Sequence, residues 1–325
     1  MTARNYLLTA VALIFLFPAF DLAQDAPDGP GMLPTWTPGS KEAVGTATSL
    51  DSKVWFTLQG GILTEVYYPR LDTADVRTLE FAVSDGKKIW VESKDMTHSL
   101  ERIDSDALLY RQISSDPLGR FKLTKTYATD SQRDTLLIDV SFSGPSDYSL
   151  YVLFDPALKN SGYGDTGFSQ GDALVAQKDG IAVALISSPS FTELTSGFAG
   201  TSDGYTDLLL HHALTQKYAR AENGNVLQAA KLPIREHALL ALGFGKDAAT
   251  AVETARKSLG REFSAVTAEY VAGWKEYVHG LRHVNAQYER MFQLAAMVLK
   301  AHEDKTYRGA MIASMSVPWG FAVKA

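Results

Sequence analysis

The 325-residue sequence contains no cysteine. Disulfide bonds, thiol chemistry and a lipid anchor on an N-terminal cysteine are therefore excluded. The sequence also lacks a basic patch: the formal net charge is −6, and Lys and Arg are spread thinly along the chain. Because nucleic acids are bound through clustered basic side chains, nucleic acid is not a predicted partner.

Long hydrophobic runs are also scarce, apart from one at the N-terminus. Arg4 precedes an apolar stretch from Tyr6 to Phe20 that is interrupted by Pro18. This pattern is typical of a secretory signal, and the stretch is shorter than the roughly 20 residues that a membrane-spanning helix needs. We predict a signal peptide over 1–23, export to the periplasm or extracellular space, and no membrane association after cleavage. An uncleaved anchor and a buried helix are the alternatives.

Hydrophobic residues make up 46% of the chain, which is enough for a large core. After a Pro- and Gly-rich lead-in, short β-branched and aromatic runs alternate with turn residues as far as Phe244, as in antiparallel β proteins. The clearest runs are 54–58, 62–68, 79–83, 88–92, 120–128, 135–142, 148–154, 181–186 and 236–244. The Asp85-Gly86 pair predicts a tight hairpin between the third and fourth runs. Two large packed sheets are expected.

The run "RFKLTKTY" predicts a strand with one buried face and one solvated face. The predicted buried residues are Phe121, Leu123 and Tyr127, and the predicted solvated residues are Lys122, Thr124 and Thr126.

The hydrophobic period changes at Asp247, a good N-cap residue, and the following residues predict helix with a break at Gly260. A further helix is predicted from an apolar stripe with spacings of three and four, formed by Tyr288, Phe292, Ala295, Leu299 and His302. These helices either pack back on the sheets or open a helical domain, and periodicity alone does not decide between the two.

Several stretches resemble one enzyme family. The segment "VWFTLQGGILTEVYYPRLDTADVRTLEFAVSDG" (54–86) resembles the opening of the N-terminal β-sandwich domain in bacterial glucoamylases and glucodextranases of glycoside hydrolase family 15. The strings "RDTLLIDVSF", "YSLYVLFDPAL", "GFAGTSDGYTDL" and "RAENGNVLQAA" are similar to later parts of that domain. The segment "VLKAHEDKTYRGAMIASMSVPWG" (298–320) resembles the first helix and loop of the family's catalytic (α/α)6 domain.

The resemblance implies a mainly β fold: a large antiparallel two-sheet super-sandwich of the galactose-mutarotase type, followed by C-terminal helices that begin an (α/α)6 barrel. Together with the signal peptide at 1–23 and the Pro- and Gly-rich lead-in at 24–43, it implies a sandwich at 44–246, linker helices at 247–285 and the start of a truncated catalytic domain at 286–325. It further implies action on α-glucan oligosaccharides or polysaccharides with inversion and without a cofactor. The family's catalytic glutamates come far downstream, so the missing catalytic domain is an implied partner.

Inverting glycoside hydrolysis needs an acid and a base about 6.5 to 9.5 Å apart. No such pair can be assigned, so no catalytic residue is predicted. Glu303 and Asp304 are adjacent on a predicted helix and point about 100° apart, which predicts a solvated face. Glu65 is predicted to be a structural carboxylate near Arg70 or Arg77.

Other motifs have structural interpretations. "GTSDG" (200–204) matches the nucleophile elbow G-x-S-x-G around Ser202, but its antiparallel surroundings favour a turn. "GFGKDA" (243–248) predicts a strand end followed by a helix cap. His211 and His212 would point to opposite faces of a strand, so no metal site is predicted. His302 is predicted to be a packed helix residue.

Trp319 is the residue predicted to bind sugar, because it lies between Pro318 and Gly320 in a loop that resembles the entrance to the barrel, and aromatic rings stack on pyranose faces. The alternative places Trp319 in the interface between two domains. The other four tryptophans are predicted to be core or interface residues: Trp36, Trp55, Trp90 and Trp274.

Three hypotheses follow. In the first, the chain is the N-terminal portion of a glucoamylase-like enzyme, is inactive alone, and exposes apolar surface over 286–325. In the second, it is a carbohydrate-binding or assembly module whose surface aromatics line one groove. In the third, it is an epimerase-like enzyme that needs a convergent set of histidines and carboxylates. The histidines available for that set are His98, His211, His212 and His237.

Overall fold

The computed structural model describes residues 24–233 and 236–317. The strands are β1 Gln24–Asp25, β2 Ala43–Thr46, β3 Trp55–Gln59, β4 Ile62–Tyr67, β5 Ala74–Ser84, β6 Ile89–Val91, β7 Thr97–Arg102, β8 Tyr110–Ser115, β9 Lys122–Thr129, β10 Thr135–Ser143, β11 Ser149–Pro156, β12 Asp165–Gln170, β13 Ala173–Lys178, β14 Ile181–Ser188, β15 Thr192–Phe198, β16 Tyr218–Gly224, β17 Val226–Leu232 and β18 His237–Gly245. The helices are α1 Glu92–Asp95, α2 Gly204–His211, α3 Ala248–Leu259, α4 Phe263–His279 and α5 Glu289–Ala301, and a 3-10 turn spans Leu158–Asn160.

The strands form two sheets. The large sheet has ten strands in the order β1-β16-β12-β13-β14-β18-β10-β9-β8-β7. The small sheet has eight, in the order β15-β17-β11-β5-β4-β3-β2, with β6 also paired to β5. Neighbouring strands are antiparallel throughout, as in the β5–β11 and β10–β18 pairs, except that β1 runs parallel to β16. The main core lies between the sheets, and the predicted mainly β, two-sheet fold is confirmed.

The predicted hairpin is present between β5 and β6. Gly86 has a φ of 79°, and Asp85 accepts hydrogen bonds from the backbone N–H groups of Lys87 and Lys88 at 2.8 and 2.7 Å. These contacts fix the turn, so that Ala82 lies opposite Val91.

Strand β9 departs from the predicted alternation at one position. Phe121, Leu123 and Tyr127 are buried and Lys122 is exposed, as predicted. Thr126, however, is also buried, and Lys125 shares the inward face with Leu123 and Tyr127 at 0% exposure. The interior of the sandwich therefore contains a lysine that the prediction omitted.

The helical prediction after β18 is confirmed. Asp247 caps α3 by accepting a hydrogen bond from the Thr250 N–H at 2.8 Å, and α3 ends before Gly260. Helix α3 lies close against β18: a Cβ atom on Gly243 would approach the Ala255 nitrogen to 2.5 Å. Only glycine permits this close approach of helix and strand. Within the described part of the chain, no helix is long and apolar enough to cross a membrane.

Helix α2 was not predicted. It begins after Asp203, which accepts a hydrogen bond from the Thr206 N–H at 2.7 Å, and it packs Leu208 against the outer face of the small sheet. The GTSDG turn is therefore a helix N-cap, and Ser202 Oγ donates to the carbonyl oxygen of Pro27 at 2.8 Å.

Candidate functional site

The last described residues form a helix and loop attached to the sandwich, and we call residues 288–317 the terminal segment. Helix α5 buries Met297 and Ala301 at 0% exposure. Directly after it, Asp304 accepts hydrogen bonds from the backbone N–H of Leu71 at 2.8 Å and from those of Thr306 and Tyr307 at 2.7 Å. A buried carboxylate therefore fixes this segment to the loop between β4 and β5.

Lys305 provides a second attachment. Its Nζ donates to Thr46 Oγ1 at 2.6 Å and to the carbonyl oxygen of Ser52, and lies 4.8 Å from the centroid of the Trp55 ring. Burial lowers the pKa of Lys305 to about 7, although Asp134 partly counteracts this effect. The contacts of the ammonium group are therefore two neutral hydrogen-bond acceptors and one aromatic ring, all provided by the sandwich.

The opposite side of the terminal segment exposes apolar side chains. Twelve large hydrophobic residues are exposed among the described residues, and half of them fall between 288 and 311. These six are Tyr288, Met291, Leu294, Leu299, Tyr307 and Met311. The concentration of exposed apolar area on one short segment is typical of a surface that binds another protein surface.

The predicted apolar stripe of α5 does not face the sandwich. Tyr288 and Leu299 are 53% and 60% exposed, whereas the buried contacts come from Met297 and Ala301 on another side of the helix. The predicted helix is present, and its predicted apolar stripe is not the side that packs on the sheets, a point that periodicity left open.

A cleft of about 430 Å³ lies where α5 meets the edge of the small sheet. Lys41, Arg102, Tyr110, His302 and Ser314 contribute polar groups to its lining. His302 is half-buried, and its Nδ1–H donates to the Val298 carbonyl at 2.7 Å. The histidine is therefore a packed helix-end residue, as predicted, and it also borders the cleft.

The carboxylates near this cleft have structural partners. Glu303 is ion-paired with Lys300 and accepts a hydrogen bond from the Gly309 N–H at 2.9 Å, and the Lys300 contact lowers the pKa of Glu303. Asp304 is 8% exposed, so the prediction that both residues form a solvated face is wrong for Asp304. The backbone N–H groups that Asp304 satisfies are the physical reason for its burial.

Glu65 is a buried structural carboxylate, but its predicted partners are wrong. It is ion-paired with Lys41 and accepts a hydrogen bond from Thr37 at 2.6 Å. Arg70 and Arg77 pair instead with aspartates, at positions 72 and 155. Burial lowers the pKa of Lys41, so this pair supports the lead-in segment against the sheet at a desolvation cost.

Asp165 has the pKa expected of a general acid, because burial raises it to about 7. Its location argues against that role. The residue is 0% exposed, accepts a hydrogen bond from the Leu158 N–H at 3.1 Å, and lies 3.8 Å from Lys178 Nζ. A substrate cannot reach a fully buried carboxyl group, so Asp165 is a core residue.

The histidines do not converge on one site. His211 and His212 lie at the end of α2 rather than on a strand, and His211 Nδ1 is 2.8 Å from Asp207. His237 pairs with Asp139 on the large sheet. Among residues 24–233 and 236–317, no group of three or more His, Asp or Glu side chains has the geometry to hold a metal ion.

Two predictions were made for the tryptophans, namely burial of four of them and sugar binding by the fifth. Trp36, Trp55, Trp90 and Trp274 are all buried, as predicted. Trp319, the predicted sugar-binding residue, lies outside the described residues. The prediction for its side chain therefore remains a prediction.

Sequence reasoning missed two lysines with several contacts inside the chain, Lys125, which is buried, and Lys305, which is half-buried. Lys125 could have been found, since its position in β9 has the same parity as Leu123 and Tyr127. Lys305 carried no such signal, because it follows α5 in an irregular stretch and its acceptors are distant in sequence.

The sequence is similar to known proteins along most of its length. The family model described as "Glucodextranase, domain N" matches residues 26–279. A glucoamylase from Clostridium sp. (strain G0005) is 34% identical over 306 residues, which make up 91% of this chain and 43% of the relative.

Solved structures also match. A bacterial glucoamylase complexed with acarbose aligns with a TM-score of 0.88 and 34% identity, over 92% of this chain and 46% of that chain. An inverting mannosidase of family GH92 from Bacteroides thetaiotaomicron aligns with a TM-score of 0.50 and 11% identity, over 83% of this chain and 38% of that one, and shows a shared fold only. The chain spans less than half the length of these relatives. Since the family model covers most of the sequence, the chain belongs to the glucodextranase N-domain family, the N-terminal sandwich type found in bacterial glucoamylases.

Proposed function

We propose that this chain is the N-terminal portion of a glucoamylase-like glycoside hydrolase that acts on α-glucans with inversion. The sandwich supports a helical catalytic domain of (α/α)6 type, which begins with α5 and provides the catalytic glutamates. Without that domain the chain releases no glucose.

The main support for the proposal is that the terminal segment has one side attached to the sandwich and one side exposed. One side is fixed to the sandwich by Asp304 and Lys305, while the other side exposes Tyr288, Met291 and Leu299. The buried contacts give the segment a defined position, and the exposed side chains suit packing by further helices. The carboxylates around it are neutralised or hydrogen-bonded within the chain, which suits a supporting role.

The same proposal includes the division of the chain and its location. We propose a signal peptide at 1–23, a lead-in at 24–43, the sandwich at 44–246, linker helices at 247–285 and the first catalytic-domain residues at 286–325. Export to the periplasm or extracellular space follows from the signal peptide.

Activity can be tested with a chimera. Residues 24–317 of this chain are joined to the part of the Clostridium glucoamylase that follows its matching region, and glucose release from maltooligosaccharides and dextran is measured. We expect the chimera to release glucose and the unmodified chain to release none. Proton NMR should detect β-glucose as the first product, because inversion at an α-linkage gives the β-anomer.

Two controls accompany this test. The C-terminal part of the Clostridium enzyme alone shows how much activity depends on the sandwich. Glucose release by the unmodified chain would contradict the proposed location of the catalytic glutamates.

Trp319 can be examined in the same chimera, extended to residue 320 of this chain. If its ring stacks on a pyranose, Trp319→Ala should raise KM about tenfold, because aromatic contacts of this kind contribute about 1 kcal/mol or more. Trp319→Phe keeps a ring and should restore much of the affinity. A loss of folding stability with unchanged KM would instead assign Trp319 to the interface between the domains.

A further inference from the structure

A separate cleft of about 280 Å³ lies on the outer face of the small sheet, and we call it the sheet-face cleft. Strands β5 and β11 provide its floor. Its lining also includes the lead-in residues Trp36, Thr37 and Pro38, together with Lys94 of α1 and Tyr205 of α2. None of these residues belongs to the terminal segment.

A β-bulge shapes the floor of the cleft. Asp155 lies opposite Thr78, but its neighbour Pro156 lies opposite Val76, so Arg77 is the extra residue in β5. A bulge of this kind changes the direction in which the side chains at that position point, so that they no longer alternate regularly between the two faces of the sheet. Arg77 consequently forms an ion pair with Asp155 in the cleft lining.

The charges of the cleft are balanced. Arg77 and Lys94 contribute two positive groups, and Glu80 and Asp155 contribute two negative groups. Arg77 is paired with Asp155, Lys94 donates to the Tyr205 hydroxyl, and Glu80 Oε2 accepts a hydrogen bond from the Ser93 N–H at 3.1 Å. Because the two positive and two negative groups balance, the cleft as a whole favours neither an anion nor a cation. A hydroxyl group fits well, because it can donate to a carboxylate and accept from an ammonium group at once.

Aromatic surface borders the same polar groups. Tyr205 is half-buried in the cleft lining, whereas Trp36 is buried at 3% exposure and adds little ring surface. An aromatic face beside ionised hydrogen-bonding groups suits a ligand with one apolar face and many hydroxyls. The volume of about 280 Å³ is near the lower limit for small-molecule pockets, which suits one or two sugar rings.

We propose that the sheet-face cleft binds a neutral saccharide of one or two pyranose units, with hydroxyl groups on Glu80 and Lys94 and a ring face against Tyr205. This site is independent of the proposed catalytic function, because it requires neither the terminal segment nor a catalytic domain. The chain therefore binds sugar even where it does not hydrolyse it.

The test uses the purified chain and measures binding of maltose and maltotriose by saturation-transfer NMR and calorimetry. We expect saturable binding, and we expect Tyr205→Ala to weaken it at least about tenfold through loss of ring contact. Glu80→Gln should weaken it about fivefold by removing a charge-assisted hydrogen bond. Matched controls outside the cleft, Tyr288→Ala and Glu253→Gln, should bind within about twofold of the unmodified chain.

Other outcomes would overturn the proposal. They are the absence of binding at about 10 mM maltotriose, or unchanged binding by both cleft variants when circular dichroism shows them folded. Inorganic phosphate and a zwitterionic dipeptide serve as competitors. Displacement of maltotriose by either one would identify the cleft as a site for charged ligands. The proposed catalytic function is tested by glucose release, so the two proposals can fail separately.

Discussion

Replacing Lys125 by alanine is expected to lower the free energy of unfolding by about 3 to 5 kcal/mol. Lys125 and Glu92 are both 0% exposed, and Lys125 Nζ lies 2.5 Å from Glu92 Oε1 and donates to the Gly61 carbonyl at 2.6 Å. Burial lowers the pKa of Lys125, and Glu92 partly offsets this effect. Without the lysine, a carboxylate remains in the core with no cation, which is the costly arrangement for a buried ion pair.

Urea unfolding followed by tryptophan fluorescence measures this loss. Lys122→Ala is the matched control, because Lys122 lies on the same strand and is exposed, and its effect should stay within about 0.5 kcal/mol. The double variant Lys125→Met, Glu92→Gln should recover much of the loss, since no buried charge remains and the Gln oxygen can still accept from Ser114 or Phe81. A change below about 1 kcal/mol for Lys125→Ala would show that the pair does not support the core.

The sequence predicts central strands better than edge strands. All nine predicted runs overlap an observed strand, because burial imposes apolar patterns on them. Strand β7, Thr97–Arg102, is largely exposed, and its polar sequence THSLER carries no such pattern. It is a strand because β8 offers backbone hydrogen bonds along one edge, and that cause lies outside its own residues.

Ion pairs between residues that are far apart in the chain could not be predicted from the sequence either. Lys125 and Glu92 meet because the hairpin between β5 and β6 brings α1 to the end of the sandwich, which no local pattern specifies. Lys41 with Glu65 is a second example, where an arginine was predicted. For Glu65 the residue type indicated a paired charge, but the topology determines the partner.

For the terminal segment, too, the sequence predicts the helix but not which surface each of its faces contacts. Its periodicity predicted a helix, and helix α5 is present. Periodicity does not distinguish an apolar face that packs on the sheets from one that packs elsewhere, and α5 has apolar residues on both. The residues of the sheet-face cleft were not predicted, although the second hypothesis expects a groove of this kind, because they come from the lead-in, several strands and two short helices.

Lys305 is expected to make the stability of the chain rise between pH 7 and pH 9. Its pKa is about 7 in the folded chain and near its ordinary value of 10.5 when unfolded. Between these values the unfolded chain binds more protons, so the free energy of unfolding increases with pH, and below pH 7 this contribution is flat. Over two pH units the increase from Lys305 is about 2 to 3 kcal/mol.

Urea titrations at pH 7, 8 and 9 should show this rise in the unmodified chain and a smaller one in Lys305→Met. The comparison isolates Lys305, because the other buried lysines, Lys41 and Lys125, are present in both proteins. Lys275→Met, at an exposed position of α4, serves as the control and should keep the slope of the unmodified chain. Equal slopes for Lys305→Met and the unmodified chain would mean that the ammonium group is hydrated. The attachment of the terminal segment would then depend on Asp304 and the buried face of α5, because a hydrated lysine imposes no desolvation cost on it.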